Sequence, residues 1–400
     1  MPIGRSLKSV HFEIKYYLNL QDLMKKIKVV QILPYFPPHT WWLEMVAQNI
    51  SKYLVSHTDT DVINITSDIG QKKKWYNSYQ EDGYEVICLP SFNIVHHFPC
   101  YKFWDKSFWQ VLKKIKKYKP DIIQTHTRFF LQTFLGGILS KFWWAKWVHV
   151  EHGSGFVTWI VWWKKLCARL YDQILGRLIF LWANKIISIN KVNLEFIKRF
   201  TKLSKCETIY NWINFPKEII KKPNKKTKIV YIGRLTTLKW VHILLQAIKN
   251  LKDKWIYDSD LDIIWDGEEM KNLADYIKSH KLSNVKLLWK KSHDDIVNAI
   301  LPQTDILVNP SFQEWLPTTV LEWLVAKCVV VATDVGGTKE ISDLDDLILV
   351  KAGESVSLEN GLNLAIKNYE KLKWVSYNDI KEKFNWENSV ENYFSIYKSF

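Results

Sequence analysis

The feature that most constrains this chain is one pattern that runs twice. From Ile27 onward, short apolar runs rich in β-branched residues alternate with stretches of helical periodicity. The first series predicts strands at 27–33, 61–66, 84–89, 121–125, 146–150, 185–189 and 206–210, and helices near 43–55, 103–118, 129–141, 163–181 and 191–200. The second predicts strands at 228–232, 261–265, 285–289, 304–308, 328–332 and 346–350, with helices near 239–252, 267–280, 293–300, 318–326, 356–371 and 386–398. Between them PKEIIKKPNKKT, residues 216–227, is polar, rich in Lys and holds two Pro, the composition of a linker. Strands joined through helices of 10–15 residues return to the sheet as parallel neighbours. The fold expected is therefore α/β, two parallel-sheet Rossmann-like domains facing across a cleft. In such sheets ligands bind beyond the carboxyl ends of the strands, which places the site between the two halves.

Composition narrows the class. The chain has 400 residues, which suits two domains. Apolar residues make up 47%, which excludes a disordered chain. The five cysteines (Cys88, Cys100, Cys167, Cys206, Cys328) include no CxxC pair, which argues against a disulfide scaffold or a zinc site and fits a reducing, cytoplasmic setting. No apolar run is long enough for a membrane span. Residues 1–23 read poorly as structure, and Met24-Lys25-Lys26 leads straight into the first strand. We read 1–23 as an extension outside the real protein, with an amphipathic lead-in as the alternative.

Several motifs carry chemistry. In 309–337, NPSFQEWLPTTVLEWLVAKCVVVATDVGG, a strand ends before a loop holding Glu314, and Pro317-Thr318-Thr319 opens a helix carrying Glu322. Free N–H groups at a helix start bind phosphate, and two carboxylates there suit sugar and ribose hydroxyls. The plainer reading is a solvated loop Glu and a helix-face Glu. In 230–240, VYIGRLTTLKW, a strand ends at Gly233-Arg234 and Lys239 follows five residues later. Two cations in a strand-to-helix loop suit a diphosphate, Arg with forked donors and Lys as a point charge; an exposed basic loop is the alternative. In 121–126, DIIQTH, a strand delivers His126 to its carboxyl end. A lone His is more often a packing or surface residue, and its strand-end position raises its claim. Asp266 lies in a further strand-end motif, IWDGE at 264–268, and the loop 33–44, LPYFPPHTWWLE, follows the first strand.

Taken in order and at this spacing, these motifs resemble those of family 4 glycosyltransferases of the GT-B fold, from about Lys25 to about residue 395. Glu314-x7-Glu322 is similar to the family's signature and Gly233-Arg234-x4-Lys239 to its diphosphate loop. PYFPPH resembles its first-strand loop, IYNWINF at 209–215 its PNG(V/I)xxxF motif, and FNWE at 384–387 its C-terminal helix that crosses back to the first domain. The resemblance implies domains at 24–215 (acceptor side) and 228–385 (donor side), with 386–400 crossing back. It also implies a bacterial enzyme that transfers sugar from a nucleotide-sugar with retention, in cell-envelope polysaccharide or glycolipid synthesis. Arg234, Lys239 and the helix N-terminus would stabilise the leaving diphosphate, Glu314 would hold the donor sugar, Glu322 the ribose, and His126 would contact the donor from the acceptor side. Trp41, Trp42, Gly233, Asn211, Asp266, Leu316, Pro317, Thr318 and Thr319 are the further donor-contact positions. The resemblance implies no cofactor and no bound metal, because the UDP- or GDP-linked sugar is itself a substrate. Partners would be that donor and a glycan or lipid-linked acceptor, and the family resemblance gives no role to nucleic acid. An inactive GT-B relative, or a nucleotide-sugar 2-epimerase, is the alternative, and a nucleic-acid-binding module would account for the charge but not for the site residues.

The departures from that resemblance share one form. Trp stands where the family has a small residue, usually Gly: Trp41, Trp42, Trp212, Trp240, Trp265, Trp315, and by the same pattern Trp289 and Trp323. The chain has 14 Gly and 21 Trp, whereas ordinary usage gives about 28 Gly in this length. Glycine in such loops lets the backbone approach a pyrophosphate, and an indole is expected to fill that space. We read these positions as glycines encoded by UGA and rendered as tryptophan; Lys327 and Val329 are lesser departures. Finally, the net charge of +15 asks for a partner. Residues 106–119 set Phe108, Val111, Leu112 and Ile115 opposite Lys113, Lys114, Lys116 and Lys117, a basic amphipathic helix suited to an anionic membrane surface or, alternatively, to a core with a solvated Lys face. Trp162-Trp163-Lys164-Lys165 reads as a second interfacial anchor.

Overall fold

The computed structural model describes residues 26–400 except 38–41, 70–76, 96–97, 154, 157–161, 212–218, 255–258, 343–346, 373–379 and 381, and without the side chains of 42, 77, 95, 162–165, 167 and 293. The 1–23 extension, Trp41, Trp212, the first residues of the 216–227 stretch, and the side chains of Trp42 and of the 162–165 anchor therefore lie outside the described residues.

Two sheets form, one from each series. The first holds β1 (Ile27–Ile32), β2 (Thr60–Ser67), β3 (Asn77–Glu81), β4 (Tyr84–Leu89), β7 (Ile122–His126), β8 (Lys146–Glu151), β9 (Lys185–Ser188) and β10 (Cys206–Thr208), in the order β10-β9-β8-β7-β1-β2-β4-β3. All neighbours are parallel except β3, which pairs antiparallel with β4. A separate hairpin, β5 (Ser91–Val95) with β6 (Phe98–Tyr101), follows β4. The second sheet holds β11 (Thr227–Ile232), β12 (Ser259–Ile264), β13 (Val285–Leu288), β14 (Ile306–Asn309), β15 (Val329–Thr333) and β16 (Leu347–Val350), all parallel, in the order β13-β12-β11-β14-β15-β16. In each sheet the chain starts in the middle, runs to one edge and then crosses to the other side. The reversal falls between β1 and β7 in the first sheet and between β11 and β14 in the second, and the loops leaving those strands part there to open a crevice.

The cores follow from the strands. Val29, Val62, Val86 and Val148 are fully or almost fully buried under the Trp42–His57 helix, as expected of strands covered on both faces. The second core is built likewise from Ile229, Leu261, Ile306 and Val329. The Trp386–Lys398 helix, capped by Asn385, packs Val390, Tyr393, Ile396 and Tyr397 into the first core, while Ile380 and Phe384 just before it sit in the second domain. The chain thus returns to the first domain at Asn385.

Two expectations change here. In the Lys106–Tyr118 helix, Phe108, Val111 and Ile115 are buried in a separate cluster with Val30, Ile63 and Ile123 of the first sheet, with Leu112 packed against it. The apolar stripe faces the protein, and the exposed Lys face is what remains for solvent or a partner. The described part of the linker is not loose either: Lys222 N donates to Pro302 O (2.8 Å) and Asn224 Nδ2 to Asp305 (2.9 Å), fastening it to the second domain.

Candidate active site

The second-domain wall is built at the reversal point. β11 ends at Ile232, and the chain turns at Gly233, where a Cβ would lie 2.9 Å from Tyr231 Oη. Leu235 N donates to Asp266 O (2.9 Å), so the Gly233–Lys239 loop rests on the turn after β12, with Arg234 and Asp266 both exposed. From β14, Asn309 and Ser311 lead into the loop of Glu314; Ser311 Oγ donates to Asn309 Oδ1 (2.7 Å) and Asn309 Nδ2 reaches Glu314 Oε1 (3.3 Å). The two loops then meet, with Lys239 Nζ 2.6 Å from Glu314 Oε1. The carbonyl of Glu314 closes over Gly336, where a Cβ would lie 1.8 Å away and φ is +56°, so only glycine fits.

Leu316 and Pro317 are buried and deliver the chain into the Thr318–Val325 helix. Pro317 itself occupies the cap position, one residue earlier than a first-turn proline, and no side chain caps the helix. Its first turn holds no acidic residue, so its leading N–H groups and the positive end of its dipole face the crevice uncompensated. Glu322 lies one turn further in, and burial pushes its carboxyl up to about 7. Asn211 is buried and its Oδ1 has no hydrogen-bond partner among the described residues. Of the expected groups, Lys239 and Glu314 are thus brought into contact; Gly233 lies in the loop that carries Lys239, and Thr318, Thr319 and Glu322 lie in the helix that follows the loop of Glu314.

The first-domain wall is organised differently. His126 ends β7 with no exposed surface. Its Nε2 lies 3.0 Å from Gln31 Oε1 and 3.1 Å from Gln124 Nε2, and its Nδ1 lies 3.2 Å from His152 Nε2. Burial, then the neighbouring His152 and His149, hold its pKa well below the usual histidine range, and the ring is neutral. Two residues on, Arg128 is buried against Glu151 (3.0 Å) and Asp172 (2.9 Å). Asp172 reaches it because the predicted 163–181 helix is interrupted by a π-turn at Asp172–Gly176. Burial alone would raise the Glu151 carboxyl, but Arg128 brings it down to about 2. Sequence reasoning missed Gln31, Gln124, Arg128, Glu151 and His152. The signal available for the last two was Glu151-His152-Gly153, a polar triplet at a strand end like that of His126.

Residues 213–382, which contain Gly233, Arg234, Lys239, Asp266, Glu314 and Glu322, match the family of glycosyl transferases group 1. An uncharacterized glycosyltransferase of Methanocaldococcus jannaschii is 28% identical over 395 residues, 94% of this chain and 99% of its own. This chain is a glycosyltransferase. The fold of the glycosyltransferase is GT-B: sucrose-phosphate synthase from Thermosynechococcus elongatus superposes with a TM-score of 0.73 at 15% identity, covering 94% of this chain and 99% of the other. Anabaena HepE, solved in complex with UDP, superposes with a TM-score of 0.69 at 16% identity, over 94% of this chain and 100% of its own.

Of the tryptophans expected as glycine whose backbone is described, Trp240 and Trp265 take positive φ, whereas Trp42, Trp289, Trp315 and Trp323 do not. Trp240, at the start of the Val241–Asp253 helix, has φ +49°, and Trp265 has φ +146°. Trp144, which ends the Leu131–Trp143 helix, has φ +59° and is 93% exposed, and Lys327 has φ +60°. These are backbone states that bulky residues rarely adopt and glycine adopts freely. The indole of Trp240 packs on Phe312 (ring centroids 4.5 Å apart) and against Gly353, contrary to the expectation that it fills the phosphate space. Trp323 does not fit the glycine pattern: it is 1% exposed and packs the Thr318–Val325 helix into the core.

Proposed function

We propose that the enzyme transfers a sugar, with retention at the anomeric carbon, from a UDP- or GDP-sugar to a hydroxyl of a glycan or lipid-linked acceptor, as a family 4 enzyme of bacterial cell-envelope polysaccharide or glycolipid synthesis. The observation that carries the reading is the meeting of Lys239 with Glu314 beside the uncapped start of the Thr318–Val325 helix. Charge develops on the leaving diphosphate, and fixed cations and N–H donors stabilise it. In this reading Lys239 and Arg234 hold the diphosphate with the N–H groups of Thr318 and Thr319. A bound phosphate draws Lys239 away and frees the Glu314 carboxylate for the donor sugar hydroxyls. Glu322 holds the ribose once ionised, Asp266 and Asn211 border the nucleotide and sugar, and Leu316 and Pro317 set the loop that presents them.

His126 enters as a neutral group whose ring must exchange a partner within its buried network to meet the donor. The nucleotide sugar is a substrate and the reading includes no resident cofactor or metal. Positions 41 and 42 supply backbone N–H groups to the diphosphate if they are glycine, and the φ values of Trp240 and Trp265 support the reading of UGA as glycine at those two positions. The exposed lysines of the 106–118 helix favour an anionic membrane surface at the cytoplasmic face.

The test is UDP or GDP release from a panel of nucleotide sugars by the protein with glycine at 41, 42, 212, 240, 265 and 315. Release from one donor, abolished by Lys239→Met, is expected. No release from any donor sinks the reading in favour of an inactive relative. The codons decide the recoding separately: UGG at 240 and 265 ends it.

A further inference from the structure

Asn190 follows β9 and heads the short Lys191–Ile197 helix. Its Oδ1 accepts from Asn193 N (2.6 Å), an ordinary cap. Its Nδ2 leaves the domain and donates to the carbonyl oxygen of Trp315 (2.7 Å), which also accepts from Gly337 N (2.8 Å). That carbonyl belongs to the residue next to Glu314. The backbone of the donor loop is therefore fixed once from its own domain and once from the other. Beside it, Lys191 N and Val192 N donate to the carboxylate of Glu340 (2.7 and 3.0 Å), as does Tyr210 Oη (3.1 Å). On the opposite side, Asn193 Nδ2 donates to Gly153 O (2.6 Å), in the loop of His152, the neighbour of His126.

One turn of chain thus touches the first-domain loop through Asn193 and the donor loop through Asn190. We infer that Asn190 is a positioning residue for the transfer: its amide seats the Trp315 carbonyl, and with it the Glu314 carboxylate, against the first domain, with Glu340 as the second fastening. The inference rests on the reading of Glu314 and Lys239 as donor-binding. It holds whether position 315 carries Trp or Gly, because the acceptor is a backbone oxygen.

Asn190→Asp separates the two roles of this side chain. Aspartate caps a helix as well as asparagine, so the bond from Asn193 N survives, while the Nδ2 donor is replaced by an oxygen facing another oxygen. In the full chain this variant is expected to lower the melting midpoint, because the new carboxylate is buried against a carbonyl oxygen, but to keep its affinity for free UDP or GDP, to lose 10- to 100-fold in kcat, and to change the KM for donor less than kcat. Glu340→Gln, which keeps the shape and weakens both N–H contacts, is expected to lose kcat in the same sense by less. Wild-type kcat in Asn190→Asp overturns the inference. So does a parallel fall in melting midpoint and nucleotide affinity, because that marks a purely structural residue. The donor reading fails by a different result: nucleotide affinity that survives Lys239→Met.

Discussion

The two domains share an architecture at their reversal points and treat polar groups in opposite ways. In the first, His126, Arg128, Glu151 and His152 are all buried, and each has its partners inside the domain. In the second, Arg234 and Asp266 are exposed, Lys239 and Glu314 pair across two loops, and the Thr318–Val325 helix starts without a side-chain cap. These four side chains of the first wall have their partners before any ligand arrives, whereas Thr127 Oγ1 between His126 and Arg128 has none among the described residues. In the proposed reading the second holds the exposed Arg234 and the first N–H groups of the Thr318–Val325 helix for an anion, with Lys239 on Glu314 until one binds. A group whose hydrogen bonds are already made shapes a site, whereas one whose bonds are unmade grips a ligand, because only the latter gains free energy on binding.

Breaking the first wall has the largest expected effect. Arg128→Met leaves Glu151 and Asp172 buried without their cation and is expected to lower stability by about 3–5 kcal/mol, read as a shift of the urea midpoint. An unchanged midpoint contradicts the role of the buried network. The mirror experiment is Arg234→Met, an exposed change expected to move stability by no more than about 0.5 kcal/mol while lowering nucleotide-sugar turnover roughly 10²- to 10³-fold, measured as nucleotide release.

A change of pH sharpens the contrast, because the two walls respond with opposite signs. Burial brings His152 down to about 4 from the ordinary histidine value, so its contribution to stability is lost as pH falls from about 6.5 toward 4. Glu322 is raised to about 7, so the folded protein holds its proton longer than the unfolded chain, and stability falls as pH rises from about 4.5 to 7. If Glu322 holds the ribose as proposed, the donor KM is expected to fall over that upper part of the range, as the carboxylate ionises. Glu322→Gln should flatten both profiles; a KM that still falls places the titrating group elsewhere. The smallest effect concerns Trp144, exposed at φ +59°. Trp144→Gly is expected to stabilise by about 1 kcal/mol through relief of a left-handed backbone, whereas Trp323→Gly in the core should cost several times that. Calorimetric melting separates the two.

Much of the fold was legible in the sequence. The thirteen strands expected from the apolar runs all form, with ends shifted by at most two residues, because a buried parallel strand announces itself locally by continuous β-branched residues. The unpredicted elements are β3 and the β5–β6 hairpin. β3, Asn77-Ser-Tyr-Gln-Glu, is a polar edge strand with no apolar run to betray it, and its pairing with β4 supplies what its sequence does not. Glu314 and Lys239 could be singled out because each lies in a loop between a strand and the next helix, yet nothing in a spacing of 75 residues says that their atoms lie 2.6 Å apart.

By itself, then, the sequence determined which segments become strands and helices and which residues stand at their carboxyl ends, since periodicity and turn chemistry act over a few neighbours. Tertiary structure alone decided that the apolar face of the 106–118 helix is buried, that Arg128 meets Asp172, and that Asn190 reaches across to the carbonyl of Trp315. Those outcomes depend on which distant groups share a buried space, and there every polar atom must find its partner among whatever the packing brings near.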